Sequence, residues 1–136
     1  MECDWLPGMS LAFSAELFEQ LGGFDERTFP QYYGDADFTL RARAKGKRCV
    51  VSYLCWVSND EEKTGMSFYS RVSLASFLSG LVSLRSNYQV RSAILFATRY
   101  CPRRFVALYL GFFYLRYVYA AMKTWMPARL RVLLSR

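Results

Sequence analysis

Two aspartates stand at the start of a predicted helix and are the side chains best suited to acid–base chemistry. Asp35 and Asp37 directly follow the run Tyr32-Tyr33-Gly34. The N–H groups and the dipole at a helix N terminus stabilise a carboxylate in its ionised form. An ionised carboxylate at a loop-to-helix junction can accept the proton of a hydroxyl group, as a general base does. The pair also fits ordinary helix-start acids, because aspartate is favoured there.

Other catalytic chemistries are poorly represented in the sequence. It contains no histidine, which excludes histidine-based catalysis and the common zinc ligand sets. Its four cysteines, Cys3, Cys49, Cys55 and Cys101, include no C-x-x-C pair. No basic-then-apolar signal opens the chain, so we expect a reducing, cytosolic compartment. In such a compartment the cysteines are expected to be free and buried.

The candidate aspartates lie in a half of the chain that predicts alternating strands and helices. A serine before an apolar run caps a helix, and glycine ends one. Runs that are apolar, or rich in β-branched and aromatic residues, predict strands. The predicted elements are, in order, a strand over 11–13, a helix over 15–21 capped by Ser14 and ended by Gly22-Gly23, a helix from Asp35 or Asp37 to Ala44, and a strand over 49–57.

Charge divides the chain into two regions near residue 62. All eleven acidic residues lie in 1–62 together with six basic ones, whereas residues 63–136 carry twelve basic residues and no acid. The second region also holds 14 of the 24 aromatic residues. This combination favours an anionic membrane surface or a polyanion as partner. Nucleic acid is not expected, because the aromatics cluster within apolar runs and no nucleic-acid-binding motif is present.

The second region predicts three helices, over 67–85, 87–100 and 105–122. The last of them is apolar and long enough to approach the minimum for a membrane span. Arg116 near its centre opposes insertion by about 2.5–3.5 kcal/mol. Tyr109, Arg116 and Lys123 recur every seven residues and so share one face. Three interpretations fit: an interfacial or re-entrant helix, a spanning helix, and a core helix of a soluble domain.

Several motifs of the first region together resemble a known enzyme family. They are Asp4-Trp5-Leu6-Pro7-Gly8-Met9, a helix ending in Gly22-Gly23-Phe24-Asp25-Glu26, and Gly34-Asp35-Ala36-Asp37-Phe38-Thr39-Leu40-Arg41 followed by Gly46. Their order and spacing are similar to the C-terminal half of family 2 glycosyltransferases, whose corresponding motifs are W-x-x-G, G-G-F-D-E and E-D-x-D-L-x-x-R. The resemblance is greatest to the rhamnosyltransferase-like members. Gly34 departs from the pattern, since the family has glutamate there.

The resemblance implies a role for each matching residue. Asp35 corresponds to the catalytic base of an inverting sugar transfer, and Asp37 to the family's next aspartate. Arg41 corresponds to an arginine that holds the loop through an ion pair, and Asp37 lies four residues before it. Trp5 and Gly8 correspond to the loop that packs against the acceptor and donor sugars.

The resemblance also implies a fold, domains and partners. It predicts an α/β architecture: residues 1–62 as the acceptor-side part of a Rossmann-like GT-A domain without its nucleotide-binding half, and 63–136 as a basic, apolar, helical region associated with a membrane.

The implied partners are a nucleotide-sugar, a saccharide or lipid-linked acceptor, and an anionic membrane. Magnesium or manganese is expected for a complete enzyme but not for this chain alone, in which no metal ligands are predicted. The implied location is the cytoplasmic face of the inner membrane, peripheral or re-entrant. The alternative is an inactive truncated module that binds a membrane or a partner protein.

Overall fold

A computed structural model describes residues 1–8, 10–54, 57–58 and 73–125. The chain divides into two compact units, Met1–Glu61 and Glu62–Arg136. The elements, in chain order, are β1 (Glu2–Cys3), α1 (Ala15–Leu21), α2 (Gly34–Ala44), β2 (Cys49–Val50), α3 (Leu74–Val82), α4 (Val90–Tyr100) and α5 (Arg103–Trp125).

The predicted GT-A-type α/β fold is wrong. The described residues form five helices and one two-stranded antiparallel sheet, which is not a Rossmann-like architecture. The predicted strand over 11–13 is not a strand, because no described strand pairs with it; Phe13 packs in an aromatic cluster. The predicted strand over 49–57 is reduced to Cys49–Val50, with Cys55 and Trp56 outside the described residues. A strand extends only as far as a partner pairs with it, and β1 offers two residues.

Local signals predicted the first helix well. Ser14 caps α1 by accepting a hydrogen bond from the Leu17 N–H at 3.2 Å, and Gly22 ends it at a φ of 71°. Phe38 of α2 is almost fully buried and forms an aromatic cluster with three other phenylalanines. Its ring centroid is 4.7 Å from that of Phe13 and 4.8 Å from that of Phe24. This cluster packs α1 against α2, and the contacts between its rings stabilise the first unit.

The sheet joins the N terminus to the segment that follows α2. Glu2 lies opposite Val50, and Cys3 lies opposite Cys49. Beyond the sheet, the Val51 N–H donates to the Met1 carbonyl at 2.8 Å. Cys49 is buried and Cys3 is half-buried, and both are free thiols. The expectation of free cysteines is therefore confirmed for this pair, while complete burial holds for Cys49 alone.

Tyr117 of α5 lies in the core of the second unit and is completely buried. Its ring stacks on Phe77 of α3, with centroids 4.6 Å apart, and on Tyr88, with centroids 4.2 Å apart. Its hydroxyl donates a hydrogen bond to the Phe77 carbonyl at 2.6 Å. Burial has the largest effect on the pKa of this hydroxyl and raises it, and the neighbouring Tyr88 and Tyr114 raise it further. The hydroxyl therefore stays protonated and able to donate.

The helices of the second unit differ in their bounds from the predicted ones. Helix α3 begins at Leu74, after the Ser73 cap. Residues 67–72 of the predicted helix lie outside the described part of the chain. Helix α4 begins three residues later than predicted, at Val90, and ends at Tyr100 before Pro102. Helix α5 exceeds the predicted 105–122 at both ends. It is long and apolar enough to cross a membrane by length and composition.

Candidate functional site

The candidate site forms where the loop before α2 turns into the helix. Tyr33, the residue before the helix, has a φ of 70°, a left-handed conformation uncommon for a non-glycine residue. It accepts the first α2 hydrogen bond, since the Asp37 N–H donates to the Tyr33 carbonyl at 2.7 Å. Phe29 is buried beneath the loop, with its ring centroid 6.2 Å from that of Tyr33. The buried ring and the sharp turn position Asp35 in the first turn of α2.

Asp35 is held by the N-terminal segment of the chain. The Gly8 N–H donates a short hydrogen bond to Oδ2 of Asp35. No hydrogen bond joins its other oxygen, Oδ1, to any residue in the described ranges. A Cβ on Gly8 would lie 3.1 Å from both Cβ and Oδ2 of Asp35, which is closer than a side chain normally tolerates. Glycine therefore lets the backbone approach the carboxylate closely, and it leaves one carboxylate oxygen available to a ligand.

Thr39, one turn further along α2, binds the same segment at a second point. The Leu6 N–H donates to the Thr39 hydroxyl at 3.2 Å. That hydroxyl donates in turn to the Asp35 carbonyl, at 3.0 Å. The segment from Leu6 to Gly8 is thus tied to the first turn of α2 by two backbone N–H groups. The sequence analysis missed Thr39, although a threonine four residues after Asp35 is the spacing that puts both on one helix face.

Asp37 has a different environment from Asp35. It is completely buried, and its Oδ2 accepts a hydrogen bond from Arg41 Nε at 2.7 Å. The Arg41 guanidinium also donates to the carbonyls of Leu21 at 2.7 Å and Gly23 at 2.8 Å. The expected Asp37–Arg41 ion pair is present, and it joins α2 to the end of α1. Because both partners are engaged with each other, Asp37 is a structural group here.

The predicted site residues divide into two groups in space. Gly8 and Asp35 are in contact, and Trp5 lies three residues upstream with half of its surface exposed. Asp37 and Arg41 form a separate ion pair, and the Arg41 guanidinium lies over the Phe38 ring, 5.7 Å from its centroid. The first group contains a carboxylate oxygen of Asp35, the exposed indole of Trp5, and the Gly8 backbone in contact with Asp35. Such a combination can bind a hydroxyl-bearing ring and accept a proton from it.

A divalent metal does not fit these residues. Magnesium and manganese require several oxygen ligands around one ion. One Asp35 oxygen already accepts from Gly8, and the Asp37 carboxylate is buried against Arg41. The described part of the chain also holds no group of three or more acidic or cysteine side chains close enough to bind an ion.

A second feature with binding capacity lies in the second unit, along α5. A pocket of about 490 Å³ is lined by apolar side chains that include Phe105, Leu108 and Phe112, with Arg116 at one end. Arg116 makes no hydrogen bond or ion pair with any described residue. No acidic residue exists anywhere in 63–136 to neutralise it. The pocket thus combines an apolar body with an unpaired cation, which suits an amphipathic anion.

Comparison of the whole chain with protein-family models, with curated proteins and with solved structures found no match.

Proposed function

We propose that this chain supplies the acceptor-side part of an inverting glycosyltransferase. The reaction transfers a sugar from a nucleotide-sugar to a saccharide or lipid-linked acceptor in bacterial cell-surface polysaccharide synthesis. The observation that carries the proposal is the position of Asp35, with one oxygen held by the Gly8 N–H and the other available. The family resemblance of the surrounding motifs supports the same assignment.

In the proposed reaction, Asp35 Oδ1 accepts the proton of the attacking acceptor hydroxyl. The hydroxyl oxygen forms its bond to the anomeric carbon while the bond from that carbon to the nucleoside diphosphate breaks, and the diphosphate leaves with the bonding electrons. Gly8 holds the carboxylate, because its N–H donates to Oδ2 and leaves Oδ1 for the acceptor hydroxyl. Trp5, half exposed on the same segment, offers an indole face against which an acceptor sugar ring can pack.

The proposal is tested by measuring sugar transfer after fusing the chain to the nucleotide-binding half of a related glycosyltransferase. We expect Asp35→Asn to lower kcat by at least about 100-fold, the lower end of general-base contributions. Donor binding should stay nearly unchanged, since this carboxylate acts on the acceptor. Glu19→Gln is the matched control, because Glu19 is an exposed acid of the same unit that lies outside the three motifs. Full activity of Asp35→Asn would refute the assignment of the base.

The exposed apolar surface of α5 supports a membrane location for the chain. We place the chain at the cytoplasmic face of the inner membrane, with α5 lying in the interface as a peripheral or re-entrant helix. Five side chains recur at spacings of four and three residues and form an uncharged exposed row, which we term the α5 stripe: Leu108, Phe112, Leu115, Tyr119 and Met122. Each of them is between 46% and 62% exposed. Arg116 and Lys123 border the stripe, which suits an interfacial helix with its cations at the headgroups.

A non-catalytic function is the second candidate. The α5 stripe and the acid-free second region account for membrane binding without any catalysis. The two candidates differ in one measurement. A module that only binds a membrane gives no sugar transfer, whichever nucleotide-binding half is supplied, so Asp35→Asn has no activity to lower.

A further inference from the structure

Two cysteines face each other across the small sheet of the first unit. Cys3 and Cys49 are directly opposite in the antiparallel register of β1 and β2. Residues opposite one another in such a pair have Cα atoms about 4.5–5.5 Å apart and side chains on the same face of the sheet. That spacing lies within the roughly 4.4–6.8 Å found across disulfides. The two thiols are therefore placed where a covalent bond requires little movement of the backbone.

The contacts of the two thiols agree with this placement. Cys3 Sγ lies 3.7 Å from the Cys49 carbonyl oxygen, and Cys49 Sγ lies 3.7 Å from the Thr39 carbonyl oxygen. Burial raises the pKa of the Cys49 thiol, and the adjacent Cys3 thiol raises it further. Cys49 is inaccessible to reagents in solution, whereas Cys3 is half-buried. An oxidant consequently meets Cys3 first.

We propose that Cys3 and Cys49 form a reversible disulfide on exposure to a low-molecular-weight disulfide such as oxidised glutathione. The Cys3 thiolate attacks one glutathione sulfur, which forms a mixed disulfide and releases one molecule of reduced glutathione. The Cys49 thiol then loses its proton and attacks the Cys3 sulfur, which closes the Cys3–Cys49 bond and releases the second glutathione. The protein loses two hydrogens and the oxidant is reduced to two thiols, so atoms and electrons balance.

Such a bond acts directly on the segment that contacts Asp35. Cys3 precedes Leu6 and Gly8 by only a few residues, and both of these donate hydrogen bonds to α2. The cross-link joins positions 46 residues apart, and closing a long loop restricts the unfolded chain more than closing a short one. Oxidation therefore fastens the N-terminal segment to the rest of the unit. This inference does not depend on the proposed sugar transfer.

The test uses the full chain with Cys55→Ser and Cys101→Ser, so that only the two facing thiols remain. The protein is incubated with oxidised glutathione, alkylated and digested without reductant, and its peptides are identified by mass spectrometry. We expect a peptide linking positions 3 and 49, a higher unfolding temperature than the reduced protein, slower amide exchange at Leu6 and Gly8, and reversal of all three by dithiothreitol. Predominantly glutathionylated Cys3, or links between two chains, would overturn the proposal.

A shifted-register variant is the matched control. Val50 is exposed and lies opposite Glu2, so its side chain is on the other face of the sheet. Cys49→Ser combined with Val50→Cys keeps two thiols at almost the same sequence separation but on opposite faces. We expect at least a tenfold lower yield of the linked peptide from this variant. An equal yield would mean that the N terminus collides with the strand at random, and the proposed geometry would be wrong.

Discussion

At the scale of single residues, the two aspartates of α2 differ in burial and in hydrogen-bond partners. Asp37 is buried and paired with Arg41, whereas Asp35 faces the Gly8 backbone with one oxygen available. Sequence spacing alone predicted the Asp37–Arg41 pair, because residues four apart meet on a helix. It could not predict that Gly8 would bind Asp35, since 27 positions separate them and only the path of the chain brings them together.

Asp37→Asn should destabilise the first unit. Removing one partner of a fully buried ion pair leaves the other charge uncompensated and typically costs about 3–5 kcal/mol. We expect a loss of at most about 3 kcal/mol, because 26% of the Arg41 side chain is exposed and its guanidinium keeps two carbonyl partners. Asp35→Asn should change the free energy of unfolding by no more than about 1 kcal/mol, since it removes one exposed hydrogen bond. Urea titration followed by circular dichroism measures both, and equal losses would contradict the division of roles.

Gly8→Ala tests the approach of the backbone to Asp35. The added methyl group would lie 3.1 Å from the carboxylate, so the carboxylate or the loop must move. We expect a drop in kcat of about tenfold, because a misplaced base transfers protons less efficiently. The unfolding temperature should change by only a few degrees. Wild-type transfer by Gly8→Ala in the fused enzyme would show that the Gly8 contact does not position the base.

At the scale of elements, the helices could be predicted from the sequence far better than the strands. Ser14 and Gly22 delimit α1 by local capping, which the sequence displays directly. The β-branched and aromatic run from Cys49 predicts a strand by propensity, but a strand also needs a partner, and β1 supplies two residues. Propensity for sheet depends on context in this way. The α/β fold implied by the resemblance is wrong because, among the described residues, no strand forms over 11–13 and the one over 49–57 is reduced to Cys49–Val50.

Tyr117 is the residue on which the helices of the second unit meet. Tyr117→Phe removes the hydroxyl that donates to the Phe77 carbonyl and keeps both stacked rings. We expect a loss of about 1–2 kcal/mol in the free energy of unfolding, the cost of leaving the Phe77 carbonyl without this partner. Tyr114→Phe is the matched control, because Tyr114 is only half-buried and its hydroxyl bond to the Tyr88 carbonyl is longer, at 3.2 Å. A larger loss for the control would mean that α5 is not anchored through Tyr117.

At the scale of the whole molecule, the separation of charge is the dominant feature. Every acidic residue lies in 1–62, so the twelve basic residues of 63–136 have no carboxylate within their own region. The α5 stripe adds an exposed apolar surface to that positive charge. Sequence composition predicted this combination because it needs no tertiary information. The side of α5 left exposed could not be predicted, since it depends on how Tyr117 packs.

Binding to anionic vesicles tests what this combination does. Each basic residue near an anionic leaflet contributes about 1 kcal/mol, which salt screens, whereas the apolar contribution of the stripe is insensitive to salt. We expect the chain to sediment with anionic vesicles at low salt and to be released only in part at high salt. Arg103→Ala with Arg104→Ala should weaken binding and reduce its salt dependence. Leu108→Ser with Leu115→Ser should instead make binding fully reversible by salt, because the charges remain and the inserted surface is lost. If the unmodified chain stays in the supernatant at low salt, α5 does not bind a membrane surface, and its exposed stripe must contact protein instead.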